Sequence, residues 1–283
     1  MAEACAGKEE LRADVLSLLA HDARADDAFM RPADRPRVDW QADLLAAANR
    51  RIGQRIGAFT IKRVIAAGGM GTVYEALQDD PKRTVALKVM HRNVTSHSAL
   101  RRFQFESLVL GRLRHPNVAQ VYSAGMHDED GERVPYFAME FVPEARTIIE
   151  YAKDRALDTR ARLTLFIDVC DAVHHGHQKG VIHRDLKPGN VLVDSSGTVK
   201  VIDFGVARGT DADLAITTQQ TYVGQLVGTM QYMSPEQCDG DPYDLDIRTD
   251  VYSLGVVLYE LLAGVPPYDI SGTTIYPPPL LLN

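Results

Sequence analysis

The sequence has few cysteines and no dense run of one charge, and each scarcity excludes a class of protein. Its three cysteines, Cys5, Cys170 and Cys238, lie far apart and form no CxxC pair, so neither a disulfide framework nor a zinc site is expected. The formal net charge is -7, and no block of lysine and arginine is dense enough to follow phosphates, which argues against nucleic acid as a partner. We therefore expect a protein of the reducing cytoplasm.

Long apolar segments are also missing. The N-terminus lacks the basic start and apolar core of a signal peptide. The longest apolar run, 251–265, carries Glu260 and is too short and too polar to cross a bilayer, so we predict a buried helix there and no membrane span. With 283 residues, of which 45% are hydrophobic and 24% charged, the chain is long enough for a two-lobed domain and an extra segment.

The hydrophobic pattern divides the chain into a leader and two regions of different secondary structure. Residues 1–55 are predicted to form a helical leader and linker, with a short helix at about 40–51. Residues 56–143 hold β-rich runs and one helical segment, whereas 144–283 are mainly helical. This order predicts an α+β fold of two lobes with a cleft between them. Short strand candidates interrupt the last region at 191–194 and 198–202.

Three glycines, Gly68, Gly69 and Gly71, lie in the turn "AAGGMGTVYEA" between two predicted strands. A Rossmann fingerprint and a P-loop both need a helix directly after the turn, so neither fits. Without a Cβ atom, glycines let backbone N–H groups close over phosphates, but a tight hairpin is the more common explanation. The turn alone does not decide between these two roles.

A single cation, Lys88, stands in the otherwise apolar strand "VALKV". If its charge is buried, it requires a partner. Glu106, in the predicted helix "RRFQFESLVL", is the best candidate because its apolar neighbours indicate an inward face. A solvated surface lysine is the alternative.

The stretch "HRDLKPGN" at 183–190, followed by "DFG" at 203–205, is the arrangement of protein kinases. The chain resembles a bacterial serine/threonine protein kinase of the eukaryotic-like type from about 56 to 275. The stretches "GGMGTVY", "VALK", "HPN", "MEFV", "GTMQYMSPE" and "DVYSLG" also carry the resemblance. It implies a two-lobed kinase fold, with an N-lobe at 56–143 and a C-lobe at 144–283, and the cofactors ATP and Mg²⁺.

The resemblance also implies catalytic roles. Asp185 would accept or orient the proton of the substrate hydroxyl, and Lys187 would add positive charge near the γ-phosphate. Asn190 and Asp203 are hard oxygen ligands for Mg²⁺. Lys187, together with the "VGT" that ends at 229, is typical of kinases that act on serine and threonine rather than tyrosine.

A nucleotide pocket follows from the same resemblance. Lys88, fixed by Glu106, would bind the α- and β-phosphates. An apolar slot with a few polar groups suits the adenine base. The other expected ATP-binding residues are Ile65, Gly68, Gly69, Gly71, Val73, Ala86, Met139, Glu140, Val142 and Leu192. The expected structural residues of the site are His183, Phe204, Gly205, Glu236 and Asp250.

The long polar stretch between Gly205 and Ser234 is interpreted as an activation segment. A phosphate on one of its threonines would pair with Arg184 and order the loop. Hydration of an exposed loop is the alternative role of these threonines. We expect protein substrates and self-association for autophosphorylation. The candidate regulatory threonines are Thr217, Thr218 and Thr221.

The sequence departs from the kinase pattern at both ends of the resemblance. Ala66 stands where the first loop glycine is usual. After 276 the chain continues only as "PPPLLLN", which predicts a truncated C-lobe, an uncovered 250–262 helix and a Glu236 without its arginine partner. A buried, unpaired carboxylate costs about 3 to 5 kcal/mol. The rival hypothesis is therefore an inactive kinase-like nucleotide- or protein-binding module; a small-molecule kinase is disfavoured by Lys187.

Overall fold

The computed structural model of the chain describes most of the region that resembles a kinase. Apart from the start of the first helix, everything described below lies in one compact unit, Leu44–Asn283. The described residues are 40–68, 71–91, 103, 107, 109–129, 131–204, 230–239 and 245–268. The predicted regulatory residues Thr217, Thr218 and Thr221, with Gly69, Glu106 and Gly205, lie outside this part of the chain.

A six-stranded sheet forms the first half of the unit, after helix α1 (Trp40–Asn49). Its neighbouring strands are all antiparallel, in the order β1-β2-β3-β4-β6-β5. The strands are β1 (Arg55–Ile56), β2 (Phe59–Gly68), β3 (Gly71–Gln78), β4 (Arg83–Met90), β5 (Val121–Glu129) and β6 (Glu132–Glu140).

Alternation of apolar and polar residues sets which face of the sheet is buried. In β3, Tyr74 and Ala76 point into a core that includes Leu87 of β4, because side chains alternate between the two faces of a strand. Ala48, near the end of α1, packs into the same core. Burying such side chains is the main source of stability for the sheet.

The two outer strands of this sheet are β1 and β5. Arg51, just ahead of β1, donates through Nη2 to both carboxylate oxygens of Glu129 at the end of β5, at 2.7 and 2.6 Å. Both side chains are about three-quarters buried, with 24% and 21% exposed. The ion pair therefore joins the segment that leads into β1 to the outer strand β5.

Helices dominate the second half of the unit, together with a small three-stranded sheet of order β7-β8-β9. Thr147 and Glu150 form a capping box at the start of α2, and Asp158 caps the start of α3. Helix α5 ends at Gly264, whose φ of 79° suits glycine. The elements are β7 (Arg146–Thr147), α2 (Ile148–Asp154), α3 (Thr159–Gln178), a 3-10 turn (Pro188–Asn190), β8 (Val191–Val193), β9 (Val199–Val201), α4 (Pro235–Asp239) and α5 (Ile247–Ala263).

Helix α5 is the segment predicted to be a buried helix, and only one side of it is buried. Val257 and Leu261 lie in the core that α5 shares with α3, whereas Val251 and Tyr259 are 60% and 50% exposed. One face of α5 is therefore exposed among the described residues, while the predicted truncation stays a prediction. Within the same residues, no helix has both the length and the apolar character that a membrane span requires.

The predicted α+β fold, with a β-rich part followed by a helical part, is confirmed. The short helix expected at about 40–51 is α1, and the two late strand candidates are β8 and β9. In the expected helix around Glu106, the described residues Phe103, Ser107, Val109 and Leu110 are helical. The division into segments 1–55, 56–143 and 144–283 stays a prediction.

Candidate active site

One loop, between α3 and β8, brings three of the predicted catalytic residues together. The side-chain nitrogen of Asn190 donates to the Asp185 carbonyl oxygen at 2.7 Å and to its carboxylate at 3.1 Å. Lys187 Nζ lies 3.1 Å from the same carboxylate. The 3-10 turn Pro188–Asn190 folds the chain back, so residues close in sequence converge on Asp185.

A second group comes from distant parts of the chain. Lys88 Nζ, on β4, lies 2.8 Å from Asp203 Oδ2, and the two side chains are 10% and 21% exposed. Burial opposes ionisation of Asp203, but the charge and hydrogen bond of Lys88, with a smaller contribution from Lys187, outweigh it and lower the pKa. The predicted Lys88–Glu106 pair stays a prediction; the structure shows Asp203 as the partner of Lys88.

The two groups are joined by backbone hydrogen bonds. Ile202 N–H donates to the Asn190 carbonyl oxygen at 3.0 Å, because β8 and β9 pair and bring their ends together. Asp203 follows directly, with a φ of 60° that is unusual for a residue other than glycine. Ion pairs and hydrogen bonds thus link the predicted metal ligands, Asn190 and Asp203, to Asp185, Lys187 and Lys88.

Asp250 anchors the loop that leads to Asp185. This fully buried carboxylate, on α5, accepts hydrogen bonds from the backbone N–H groups of His183 and Arg184, both at 2.8 Å. It also lies 2.6 Å from His177 Nε2 on α3. Three contacts to one buried carboxylate fix the loop that leads to Asp185.

His183 and Phe204, expected as structural residues, stack with ring centroids 4.7 Å apart. Burial lowers the pKa of His183, so the imidazole is neutral near pH 7. A neutral ring explains both of its contacts: Nε2 donates to the Ile202 carbonyl oxygen at 2.9 Å, and Nδ1 accepts from Asp185 N–H at 3.3 Å. His183 thereby connects Asp185 to the segment that carries Asp203.

The donor set fits a magnesium ion that is shared with phosphates. Because the Asn190 amide nitrogen is bonded to Asp185, its oxygen is the atom left for another partner. Together with the Asp203 carboxylate, it supplies the hard oxygen ligands that Mg²⁺ prefers. Among the described residues, no group of three or more His, Cys, Asp or Glu side chains is arranged to hold a cation.

Four of the predicted adenine residues, Ile65, Val73, Ala86 and Met139, lie on strands of the six-stranded sheet. Val73 on β3 pairs with Lys88 on β4, and Ala86 on β4 pairs with Met139 on β6. Half-buried Leu192 lies on β8 of the small sheet. Ile65 on β2 is 42% exposed, and Val142 follows β6 in a half-buried position.

Glu140, at the end of β6, contacts both halves of the unit. Its carboxylate lies 2.7 Å from Lys200 Nζ on β9 and accepts from Gln120 N–H at 3.2 Å. The backbone N–H of Glu140 donates to the Gln120 carbonyl oxygen at 2.8 Å. These contacts hold the segment in which backbone partners for adenine were predicted.

Gly71 has a packing role that needs no ligand. It pairs with Gly68 across the β2–β3 hairpin and with Met90 on β4. A Cβ atom at Gly71 would collide with the Val89 carbonyl oxygen. The hairpin explanation therefore accounts for Gly71, while phosphate binding by Gly68 and Gly71 stays a prediction.

The expectation of a buried, unpaired Glu236 is wrong. Glu236 is only partly buried, and its carboxylate accepts from the Thr249 hydroxyl at 2.9 Å. Its own backbone N–H, Thr249, Ser234 and the charge of Arg248 hold its pKa below the usual range despite some desolvation. The acid stays hydrated and hydrogen-bonded, so the expected cost of about 3 to 5 kcal/mol for a buried lone charge does not apply.

The sequence interpretation missed two residues that support the site. Gly176, on α3, lies against Phe204: a Cβ atom there would sit 2.6 Å from the ring. Gln237, on α4, donates to the Arg184 carbonyl oxygen at 2.8 Å. The sequence does not show that a glycine near the end of a helix contacts an aromatic ring. In "SPEQ", only the glutamate was interpreted as a structural residue of the site.

Comparison with known proteins agrees with this geometry. Residues 59–277 match the protein kinase domain family. The chain is 39% identical over 219 residues to a probable serine/threonine-protein kinase PknB of Bifidobacterium longum, covering 75% of this chain and 31% of the relative. It is 36% identical over 221 residues to serine/threonine-protein kinase PrkC of Bacillus subtilis, covering 77% and 32%. The match thus spans about a third of these curated relatives.

A solved structure shares the fold. The kinase domain of Mycobacterium tuberculosis PknI superposes with a TM-score of 0.59 and 30% sequence identity, covering 80% of this chain and 81% of that chain. The resemblance inferred from "HRDLKPGN" and "DFG" is thereby confirmed, as is the two-lobed kinase fold. The chain belongs to the protein kinase family.

Proposed function

We propose that this chain transfers the γ-phosphate of ATP to serine or threonine hydroxyls of proteins. The observation that carries the proposal is the connected set of Asp185, Lys187, Asn190, Asp203 and Lys88, built by hydrogen bonds and ion pairs from two distant parts of the chain. Family membership and the names of the serine/threonine kinase relatives support the same reaction.

Phosphoryl transfer asks mainly for alignment and charge neutralisation. Asp185 takes the proton of the attacking hydroxyl as the new P–O bond forms and the bond to ADP breaks; such assistance is worth about a hundred- to ten-thousand-fold in rate. Lys187, 3.1 Å from Asp185, holds that carboxylate and adds positive charge beside the phosphate. Asn190 and Asp203 would hold Mg²⁺, which would supply charge that neutralises the phosphates.

Lys88 is proposed to bind the α- and β-phosphates. Its pairing with Asp203 already brings this cation beside a predicted metal ligand. The base is proposed to rest among Ile65, Val73, Ala86, Met139 and Leu192, and to bond the backbone of Glu140 and Val142. The Glu140–Lys200 ion pair supports a fixed position for that backbone.

Regulation by phosphorylation is a further part of the proposal. Arg184 follows His183 and precedes Asp185, so a phosphate that pairs with its guanidinium would act next to the proposed base. Thr217, Thr218 or Thr221 would carry this phosphate after autophosphorylation between two copies of the chain. We propose the cytoplasm as the place of reaction, because it supplies ATP and Mg²⁺.

The test is transfer of radiolabel from Mg·ATP to a generic basic protein by the full chain, with Asp185→Asn as the blank. We expect label above the blank, on serine or threonine after acid hydrolysis. If the chain still binds a fluorescent ATP analogue but transfers no label, the proposed kinase activity is rejected and the nucleotide-binding module is favoured. A Thr217/Thr218/Thr221 triple alanine variant with full activity would reject the regulatory part alone.

A further inference from the structure

The side-chain amide of Gln237 bridges two segments that the proposed reaction uses. Its Oε1 accepts from the backbone N–H of Ser234 at 3.1 Å, and its Nε2 donates to the carbonyl oxygen of Arg184 at 2.8 Å. Ser234 is fully buried and stands just ahead of α4. One neutral amide thus ties the start of α4 to the loop that carries Asp185.

The first of these contacts is a helix cap. Ser234 precedes the helix, and Gln237 is its third residue, the position from which Glu or Gln reaches back to a backbone N–H in a capping box. This contact alone would give Gln237 a purely structural role. A glutamate would fill that role as well as a glutamine does.

The second contact has no part in the cap. Arg184 has a φ of 65°, a conformation that is strained for a residue other than glycine and persists only where its surroundings hold it. Its N–H is held by Asp250 at 2.8 Å. Its carbonyl oxygen is held by Gln237 at 2.8 Å. The backbone N–H and the backbone carbonyl of this strained residue are therefore both held by hydrogen bonds.

The carbonyl of Arg184 and the N–H of Asp185 belong to one planar peptide group. Asp185 N–H donates to His183 Nδ1 at 3.3 Å, so the plane is held at its two ends, by Gln237 and by His183. The direction in which the Asp185 side chain leaves the backbone depends on this plane. A donor is required at position 237, because the atom it meets is a carbonyl oxygen.

We propose that Gln237 is a positioning residue that orients Asp185 through the Arg184 carbonyl and couples this orientation to the Ser234 segment. The inference rests on the proposed function, because Asp185 is the base of that reaction. Gln237 acts on geometry and not on charge, since its amide is neutral. Loss of the donor therefore lowers the rate of transfer more than it weakens ATP binding.

The decisive variant is Gln237→Glu in the full chain. Glutamate keeps the acceptor that caps α4 but cannot donate to the Arg184 carbonyl oxygen. We expect a kcat lower by about tenfold and a KM for ATP within about twofold, with a thermal stability above that of Gln237→Met because the cap of α4 is kept. Gln237→Met, which loses both contacts, should show the same fall in kcat together with lower stability. The matched control is Gln178→Glu, the same change at an exposed side chain.

Hydrogen exchange provides a readout that does not depend on turnover. The amide hydrogens of 184–186 should exchange about tenfold faster in Gln237→Glu than in wild type or Gln178→Glu. If the wild-type chain transfers phosphate, a Gln237→Glu kcat within twofold of wild type overturns the inference. If it transfers none, the proposed function fails, and unchanged exchange at 184–186 overturns the inference separately.

Discussion

Gly176→Ala should disturb the site through a single methyl group. The added Cβ atom would lie 2.6 Å from Cε1 and 3.3 Å from Cδ1 of Phe204, where ordinary contacts begin at 3.4 Å. Phe204 is 3% exposed and stacks on His183, so its ring has to move by roughly 1 Å against packed neighbours. Overpacking of this kind costs about 1 to 3 kcal/mol.

Alanine also has an advantage over glycine in a helix, worth at most about 1 kcal/mol. Gly176 lies in the last turn of α3, where that gain is smaller. We therefore expect Gly176→Ala to lower the free energy of unfolding by up to about 2 kcal/mol. Gly255, inside α5, is the matched control: a Cβ atom there meets nothing within 4 Å, so Gly255→Ala should raise stability by about 1 kcal/mol.

Urea unfolding followed by circular dichroism measures both variants. Phosphate transfer measured at the same temperature should fall by about a hundredfold in Gly176→Ala, because Phe204 directly follows Asp203 and no residue separates the two. Gly255→Ala should keep wild-type transfer. Equal stabilisation by the two substitutions, with equal activity, would refute the steric argument.

Three further perturbations test other contacts. Lys88→Met removes the cation that lowers the pKa of Asp203. In the wild type, the ionised carboxylate stabilises the fold fully at pH values above 3.8, the ordinary pKa of an aspartate, and this stabilisation is lost as the pH falls through the lowered pKa. The stability difference between wild type and variant, at most about 3 to 5 kcal/mol near neutral pH, should therefore shrink on acidification in urea titrations, and a constant difference would contradict the pairing. Asp250→Asn leaves one acceptor oxygen for two backbone donors and should cost about 3 kcal/mol in urea unfolding, whereas a loss below about 1 kcal/mol would show that the anchor is dispensable. Lys200→Met frees Glu140 and should raise the KM for ATP about two- to fivefold at unchanged kcat; an unchanged KM would exclude a role in nucleotide binding.

The sequence was most informative where the site is local. Asp185, Lys187 and Asn190 lie within one short loop, so their convergence depends mainly on a turn that proline begins. Lys88 stood out because a cation in an apolar strand needs a partner. The alternation of side chains in β3 and β4 likewise predicted the strands.

Contacts between distant segments were beyond the reach of the sequence pattern. Among the described residues, Lys88 pairs with Asp203, a contact that the sequence spacing did not reveal. The need for glycine at position 176 arises from the ring of Phe204, which reaches it only after β9 is in place. Glu236 was expected to be buried, but exposure and Thr249 satisfy it instead. In each case the decisive quantity is a tertiary distance.

The Arg51–Glu129 ion pair, which joins the segment before β1 to β5, indicates where the β-rich half begins as a folding unit. Ala48 packs into the sheet core and Arg51 forms an ion pair with Glu129 on β5. Both residues therefore belong to that unit, although they precede its first strand. A recombinant protein trimmed to start at residue 56 would lose both the packing of Ala48 and the Arg51–Glu129 ion pair. It should be less stable than a protein that starts ahead of Trp40, which urea unfolding would show as a lower midpoint.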